Sequence, residues 1–343
     1  MFLPNKKSSC ILCFLAVYVN LSLVPLCSQF LVMQEENKPV LLDWLVLMAL
    51  MLVWGSSFIL IKRGLEGFSN VQVGALRVSV SFLALLPFAL RHLGKLSWRN
   101  FYLFLLAGLT GNALPAFLFA KAQTQLDSLM AGILNSLTPL FTLLLGVWFF
   151  SRRTFFLNFL GVVMGFLGAA GLLYAAGGGS LTLNLIPALY VILATVCYAL
   201  NMNLIKNFLS EYHPVAIASL AFVFIGIPAL LFLTLQTDFL WRMQNVEGSW
   251  VALGYITLLS VFGTALAIMA HFWLIKRTSA LFASSVTYLM PIVSILWGVL
   301  DGEPFLLSYL IWIGVILVGV YVANRPSSGL RLWFRNMLNR IGY

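Results

Sequence analysis

The chain has 343 residues, of which 62% are hydrophobic and 9% charged. Soluble domains run at roughly 45–50% apolar and about 25% charged, so a soluble enzyme, a disulfide scaffold and a disordered chain are excluded, and the apolar fraction instead fits ten membrane spans of about 21 residues each. The net charge of +10 stands singly or in pairs between apolar runs, as in cytoplasmic loops and unlike the basic face of a nucleic-acid binder; the partners to expect are a lipid bilayer and a small-molecule substrate, with no nucleic acid.

In chain order, residues 1–42 are an N-terminal extension. Lys6 and Lys7 lead into an apolar run at 11–33 that holds Asn20, Pro25 and Gln29. Three readings stand: a cleaved signal, which lacks a small-x-small site and would invert every loop; an eleventh span; or a start at Met33. Cys10 and Cys13 form a lone CxxC, and Cys27 and Cys197 are the other cysteines. With no second pair and no nearby histidine, neither a metal nor a cofactor is expected.

Ten apolar runs follow, at 43–62, 71–91, 100–121, 128–150, 155–176, 184–206, 214–236, 249–273, 278–300 and 305–324, each of spanning length. Connections are short, so the spans are expected to pack as antiparallel neighbours. The longest polar connection, 236–248, leaves no room for a soluble domain. Residues 325–343 form a basic tail with Trp333 and Phe334, suited to the anionic cytoplasmic surface.

Cations set the orientation. With the segment before the first span inside, the inside loops carry Lys38, Arg91, Lys95, Arg99, Arg152, Arg153, Lys206, Lys276, Arg277, Arg325, Arg331, Arg335 and Arg340, thirteen in all. The outside loops carry four, Lys62, Arg63, Lys121 and Arg242. Both ends of the ten-span body are therefore expected in the cytoplasm of a multi-pass cell-membrane protein.

The two halves of the body resemble each other. Trp54-Gly-Ser-Ser-Phe-Ile-Leu-Ile-Lys62 aligns with Tyr198-Ala-Leu-Asn-Met-Asn-Leu-Ile-Lys206, and Asn135-Ser-Leu-Thr-Pro139 with Thr287-Tyr-Leu-Met-Pro291. Gly146 matches Gly298 and Gly161 matches Gly314. Each unit, 43–176 and 184–324, holds five spans; five is odd, so the second enters the bilayer upside down. The expected fold is an all-α polytopic membrane protein with ten transmembrane helices in two inverted five-helix repeats, an architecture of secondary transporters with a midplane site.

The same residues resemble the EamA-type transporters of the drug/metabolite transporter superfamily. The similarity rests on Trp54-Gly-Ser-Ser-Phe58, Lys62, Ala75-Leu-Arg77 and Ala131-Gly-Ile-Leu-Asn-Ser-Leu-Thr-Pro-Leu-Phe141. In the second half it rests on Ala283-Ser-Ser-Val-Thr-Tyr-Leu-Met-Pro291, Gly302-Glu303, Gly314 and Gly319. It covers residues 43–324 and implies ten helices in two five-helix repeats with export or exchange of small metabolites. The first unit has Phe150-Ser151 where the family usually has Gly-Glu, and the second has Tyr198-Ala199 in place of Trp-Gly. Residues 1–32 match nothing in the family, which supports the start at Met33.

Proline deprives the carbonyl four residues earlier of its donor. Pro139 and Pro291 are expected to break equivalent helices and free the carbonyls of Asn135 and Thr287; Pro115 frees that of Gly111. Freed carbonyls at membrane depth need a partner or a watered cavity. Asn135 and Thr287 add polar side chains there, Ser57 aligns with Asn201, and Asn112 with Thr264. These six, walled by Trp54, Tyr198, Tyr288 and Trp273, form the candidate substrate site; interhelical hydrogen bonding and tight packing are the alternative use of the same residues. Arg77, about 9 Å into its span at 1.5 Å per residue, either snorkels outward or meets an anion or carboxylate. His271 is an interfacial residue or a proton carrier.

All ten acids lie at or beyond span ends, with none at midplane, which favours a neutral or zwitterionic substrate over a cationic drug. The reading is a permease that exports amino acids or similar polar compounds by alternating access, with a homodimer left open. An intramembrane enzyme would need clustered His, Asp or Cys, and a channel or scramblase is the other alternative. No phosphate-binding glycine loop occurs, so nucleotide hydrolysis does not drive it directly.

Overall fold

The computed structural model describes residues 39–96, 100–150, 156–176, 178, 182–278 and 286–323. The N-terminal run at 1–32, the tail at 325–343 and the Ala283–Ser284 pair lie outside them. The described residues contain helices and turns and no strand. Eight helices are long and apolar enough to cross a membrane: α1 Leu41–Leu65, α2 Asn70–His92, α3 Phe101–Ala122, α4 Ser128–Phe149, α5 Leu157–Ala176, α6 Leu185–Phe208, α7 Pro214–Leu235 and α8 Ser249–Leu274. Two shorter apolar helices follow, α9 Val286–Leu300 and α10 Ser308–Ala323. Except at the start of the ninth run, where 279–285 lie outside the described residues, these track the apolar runs of the sequence to within a few residues, because in hydrocarbon only a helix satisfies its own backbone. The 236–248 connection folds a further short helix, Phe239–Asn245.

Four helices depart from regular geometry. α1 breaks after Gly55, and there the Ser56 hydroxyl donates to the Leu52 carbonyl and accepts from the Trp297 indole of α9 at 2.7 Å. α3 widens into a π-helical stretch, Leu109–Ala113, just before Pro115, and the Leu114 N–H reaches the Leu109 carbonyl five residues back. α8 does the same over Leu259–Leu266 with no proline present. α4 stops at Asn135 and restarts at Thr138.

The Asn135 carbonyl freed at that break is not left for a ligand: the Thr138 hydroxyl donates to it at 2.8 Å. The expected break at Pro291 does not occur, since α9 runs straight through it. Met290 stands where Thr138 stands in the first unit, so no hydroxyl is available there to close a broken turn.

The main packing partners are mostly far apart in the chain. α5 packs on α10, α2 on α7, α1 on α8 and α9, and α6 on α3 and α4; antiparallel neighbours such as α2 and α3 add to this. Small residues decide the partners, as they do where lipid is as apolar as any side chain. Gly161, Gly165 and Gly168 lie against Gly319, Ala323 and Ile316; Gly226 takes Phe82, and Gly55 takes Val293.

A side chain at Gly319 would meet the Gly165 nitrogen at 2.5 Å and the Gly161 oxygen at 2.8 Å, both backbone, whereas nothing lies within 4 Å of Gly314. Gly319→Leu should therefore cost about 1–3 kcal/mol of stability by overpacking, and Gly314→Leu almost nothing. Thermal unfolding of the two variants in detergent checks this; equal melting temperatures would refute the close α5–α10 contact.

Candidate functional site

The two π-helical stretches lie near the middle of α3 and α8, and polar side chains gather on them. The Trp54 indole of α1 donates to the Gly263 carbonyl at 2.9 Å, next to Thr264. Its ring lies 5.1 Å from that of His271. The Asn201 side chain of α6 rests on Gly111, where any Cβ would collide with it. Asn112 is half-exposed on the same stretch. Tyr198, one turn from Asn201, stacks at 6.1 Å on Phe119, which in turn meets Phe58 at 5.6 Å.

Three oxygens of the candidate residues, Asn135 Oδ1, Asn201 Oδ1 and Thr264 Oγ1, are buried without a hydrogen-bond partner, as are side-chain atoms of Ser79, Gln123 and Ser249. Asn135 is 8% exposed and Thr264 4%. An unpaired buried polar group costs about 1–3 kcal/mol, so each of them calls for an explanation, and a ligand group is one.

Other candidates fare differently. The Ser57 hydroxyl donates to the Val53 carbonyl at 3.1 Å and serves its own helix. Thr287 is half-exposed, and the side chain of Tyr288 lies outside the described residues. A Cβ at Gly132 would collide with Ser294 and meet Phe58, so this glycine serves a close helix contact. Arg77 is half-exposed on α2, between Gly74, which faces Phe117, and Ser81, whose hydroxyl bonds the Ser260 carbonyl. It makes no ion pair or hydrogen bond among the described residues. Trp273 is 37% exposed and carries the Arg277 guanidinium 4.9 Å above its ring.

Sequence reasoning missed a charged cluster at one end of the bundle. Lys62 at the end of α1 pairs with Asp301 at 2.6 Å and with Glu303 at 2.8 Å. Arg63 pairs with Asp301 and Glu66. Glu303 also accepts the Ser128 N–H (3.0 Å), the Ser128 hydroxyl (2.8 Å) and the Leu129 N–H (2.9 Å) at the start of α4. Lys62 and Gly302-Glu303 both stood in the family-like motifs, so opposite charges in two motifs were the available signal. At the other end Asp43 pairs with Arg277 at 2.8 Å. Asn203, also missed, is 5% exposed and ties α6 to the Thr142 carbonyl of α4 at 3.1 Å.

Burial pushes the Glu303 carboxyl up, but Lys62, the Leu129 and Ser128 N–H groups and the Ser128 hydroxyl outweigh it and hold it below its ordinary 4.5. Burial, then the charge of Glu303, raises Asp127 beside it.

Residues 41–174, and again 185–325, match the EamA-like transporter family. The chain belongs to that family. An uncharacterized transporter of Archaeoglobus fulgidus is 25% identical over 284 residues, 82% of this chain and 98% of the relative. The uncharacterized inner membrane transporter YedA of Escherichia coli is 27% identical over 283 residues, 81% and 89% of the two chains. A WAT1-related chloroplastic protein of Arabidopsis thaliana is 27% identical over 84% of this chain and 70% of its own. A solved crystal structure at 17% identity superimposes with a TM-score of 0.56, covering 82% of this chain and 96% of that one, a likeness of fold alone. With its apolar helices, membership makes this a multi-pass membrane protein of a transporter family; the names in the family are those of transporters rather than enzymes.

Because the folded value of Glu303 is depressed, its contribution to stability is complete above 4.5 and is lost as pH falls through the lower value. Melting curves taken on acidification should show this loss in the natural protein, and Glu303→Gln should remove that share of the acid sensitivity. Parallel pH profiles in the two proteins would contradict the charged cap.

Proposed function

We propose that the protein is a secondary transporter that exports amino acids or similar small polar metabolites across the cell membrane. Two inverted five-helix repeats, 43–176 and 184–324, rock about a site between them. The observation that carries this reading is the set of buried, unpartnered oxygens on Asn135, Asn201 and Thr264. A polar ligand between the repeats supplies the missing donors. Trp54, Asn112, Tyr198 and Thr287 border the path, with Ser57 as a packing partner and Pro139 at the break in α4.

The repeat reading draws support from paired features. α1 lies on α8 and α9 as α6 lies on α3 and α4, and α2–α7 and α5–α10 pair like with like. Irregular π-helical turns fall at Leu109–Ala113 and Leu259–Leu266, which correspond under the Asn112–Thr264 alignment. Irregular backbone at membrane depth is tolerated where protein or a cavity surrounds it.

The substrate is neutral or zwitterionic, because no acidic residue lies mid-span to receive a cation. Arg77 is the cation that a substrate carboxylate would meet. Flux that saturates and is stimulated by substrate on the far side separates a carrier from a channel. The cation bias places the ends of α1 and α10 that flank the body in the cytoplasm. Cysteine at Glu247 should then react with an impermeant thiol reagent outside intact cells and cysteine at Lys206 should not; the reverse pattern inverts the topology.

Thr264→Val keeps the shape and deletes an unsatisfied hydroxyl. The empty protein should melt no lower and gain up to roughly 1 kcal/mol, while substrate affinity falls about 5- to 150-fold, the equivalent of roughly 1–3 kcal/mol. Asn135→Ala should weaken affinity similarly. Transport with unchanged affinity in both variants would place the site elsewhere.

A further inference from the structure

We infer that Glu303 is a latch that holds one end of the transport path shut, so that the protein rests closed at that end. The inference depends on the alternating-access reading above. The helix contacts define two bundles around the centre, α1 with α8 and α9, and α6 with α3 and α4. At the Glu303 end the bundles touch. Ser128–Asn135 of α4 packs on α9 and on Ser57–Leu65 of α1, with Gly132 against Ser294 and Phe58, and Leu129 against Gly298. Toward the other end they part. From Thr138 onward α4 packs instead on α6 and α10, and Ala267–Arg277 of α8 packs on α1 and α7.

Among the described residues, Glu303 is the charged group whose bonds cross between the bundles. The pairs Lys62–Asp301, Arg63–Asp301 and Asp43–Arg277 stay within the first bundle, and Arg63–Glu66 and Arg242–Asp238 are local. Glu303 reaches from the turn after α9, made possible by Gly302 at φ +80°, to two N–H groups and a hydroxyl at the start of α4. A carboxylate on helix N–H groups is a strong, charge-assisted contact.

The latch is also releasable. When the bundles separate, Glu303 gives up Ser128 and Leu129 but keeps Lys62, which moves with it in the same bundle. Its charge is never stranded.

Among the described residues the opposite end shows no equivalent, residues 151–155 lying outside them. In the spacing that matches Gly146 with Gly298, Phe149 stands for Asp301 and Ser151 for Glu303, and Lys62 corresponds to Lys206. Phe149 is 69% exposed. Lys206 is exposed and makes no ion pair among the described residues. Among the described residues a charged tie crosses between the bundles at the Glu303 end and none does at the other, and this asymmetry favours a resting state closed at the Glu303 end. In the proposed orientation the tied end is outside, so an empty exporter waits open to the cytoplasm.

Ser294 reports the state of the closed end, being 1% exposed against Gly132. In full-length protein with its four natural cysteines replaced, Ser294→Cys should react slowly with an impermeant thiol reagent from the Glu303 side. Adding Glu303→Gln should raise that rate about tenfold or more, the shift that losing one charge-assisted hydrogen bond produces, with no rise from the opposite side. Ser128→Pro is the second variant. It deletes two of the three bonds from α4, at a first-turn position where proline is accepted, after an Asp127 already at ψ 150°, and leaves Glu303 ionised. Unchanged labelling in both variants overturns the latch. Labelling that rises equally from both sides overturns it too, because the substitution has then only loosened the fold. The assay needs no substrate, so its failure is distinct from a failure of the Thr264 and Asn135 tests.

Discussion

Within a bilayer a backbone amide has no water to fall back on, and each unpaired group costs several kcal/mol. That one constraint makes the described body helical and decides where it can be anything else. At the breaks at Ser56 and 136–137 and at the π-helical stretch of α8, protein groups answer the disturbed backbone. Trp297 closes on Ser56, Thr138 on the Asn135 carbonyl, and Trp54 on the Gly263 carbonyl. The polar side chains of the candidate site are beside these irregularities because irregular backbone and polar side chains need the same thing, an interior screened from lipid.

Packing follows from the absence of a hydrophobic force between helices in lipid. Contact is then a matter of how closely two backbones approach. α5 and α10 meet through Gly161, Gly165, Gly168 and Gly319, and Asn158 adds a 2.7 Å bond to the Ala323 carbonyl at the end of that seam. The candidate site is more polar, with half-exposed Trp54, Asn112, Tyr198 and Asn201 and unpartnered oxygens on Asn135, Asn201 and Thr264. A tight, apolar periphery and a partly unsatisfied centre are what a protein needs if it is to hold a polar solute without losing its shape.

Arg77 apart, the charges of the described helices stand toward the ends, where they tie helices that are remote in sequence: Lys62 to Asp301 and Glu303, and Asp43 to Arg277. Desolvation makes such pairs costly to build and costly to break singly. They therefore act as registers for which helix ends belong together more than as sources of net stability.

The helices were legible in the amino-acid sequence, and candidate residues could be named from it, for a physical reason. Spanning length and apolar composition are local properties, so the ten runs, the loops and the family-like motifs could be read along the chain. Asn135, Asn201 and Thr264 could be singled out because a polar residue inside an apolar run is conspicuous. What a side chain touches is not local. Only the tertiary structure decided that Ser57 spends its hydroxyl on Val53, that Gly132 makes room for Ser294, that Thr138 repairs the break before Pro139 while α9 passes through Pro291 unbroken, and that Glu303 reaches the start of α4. Each depends on which helices lie side by side, and that is set by glycine contacts between segments more than a hundred residues apart, which no periodicity within one helix records.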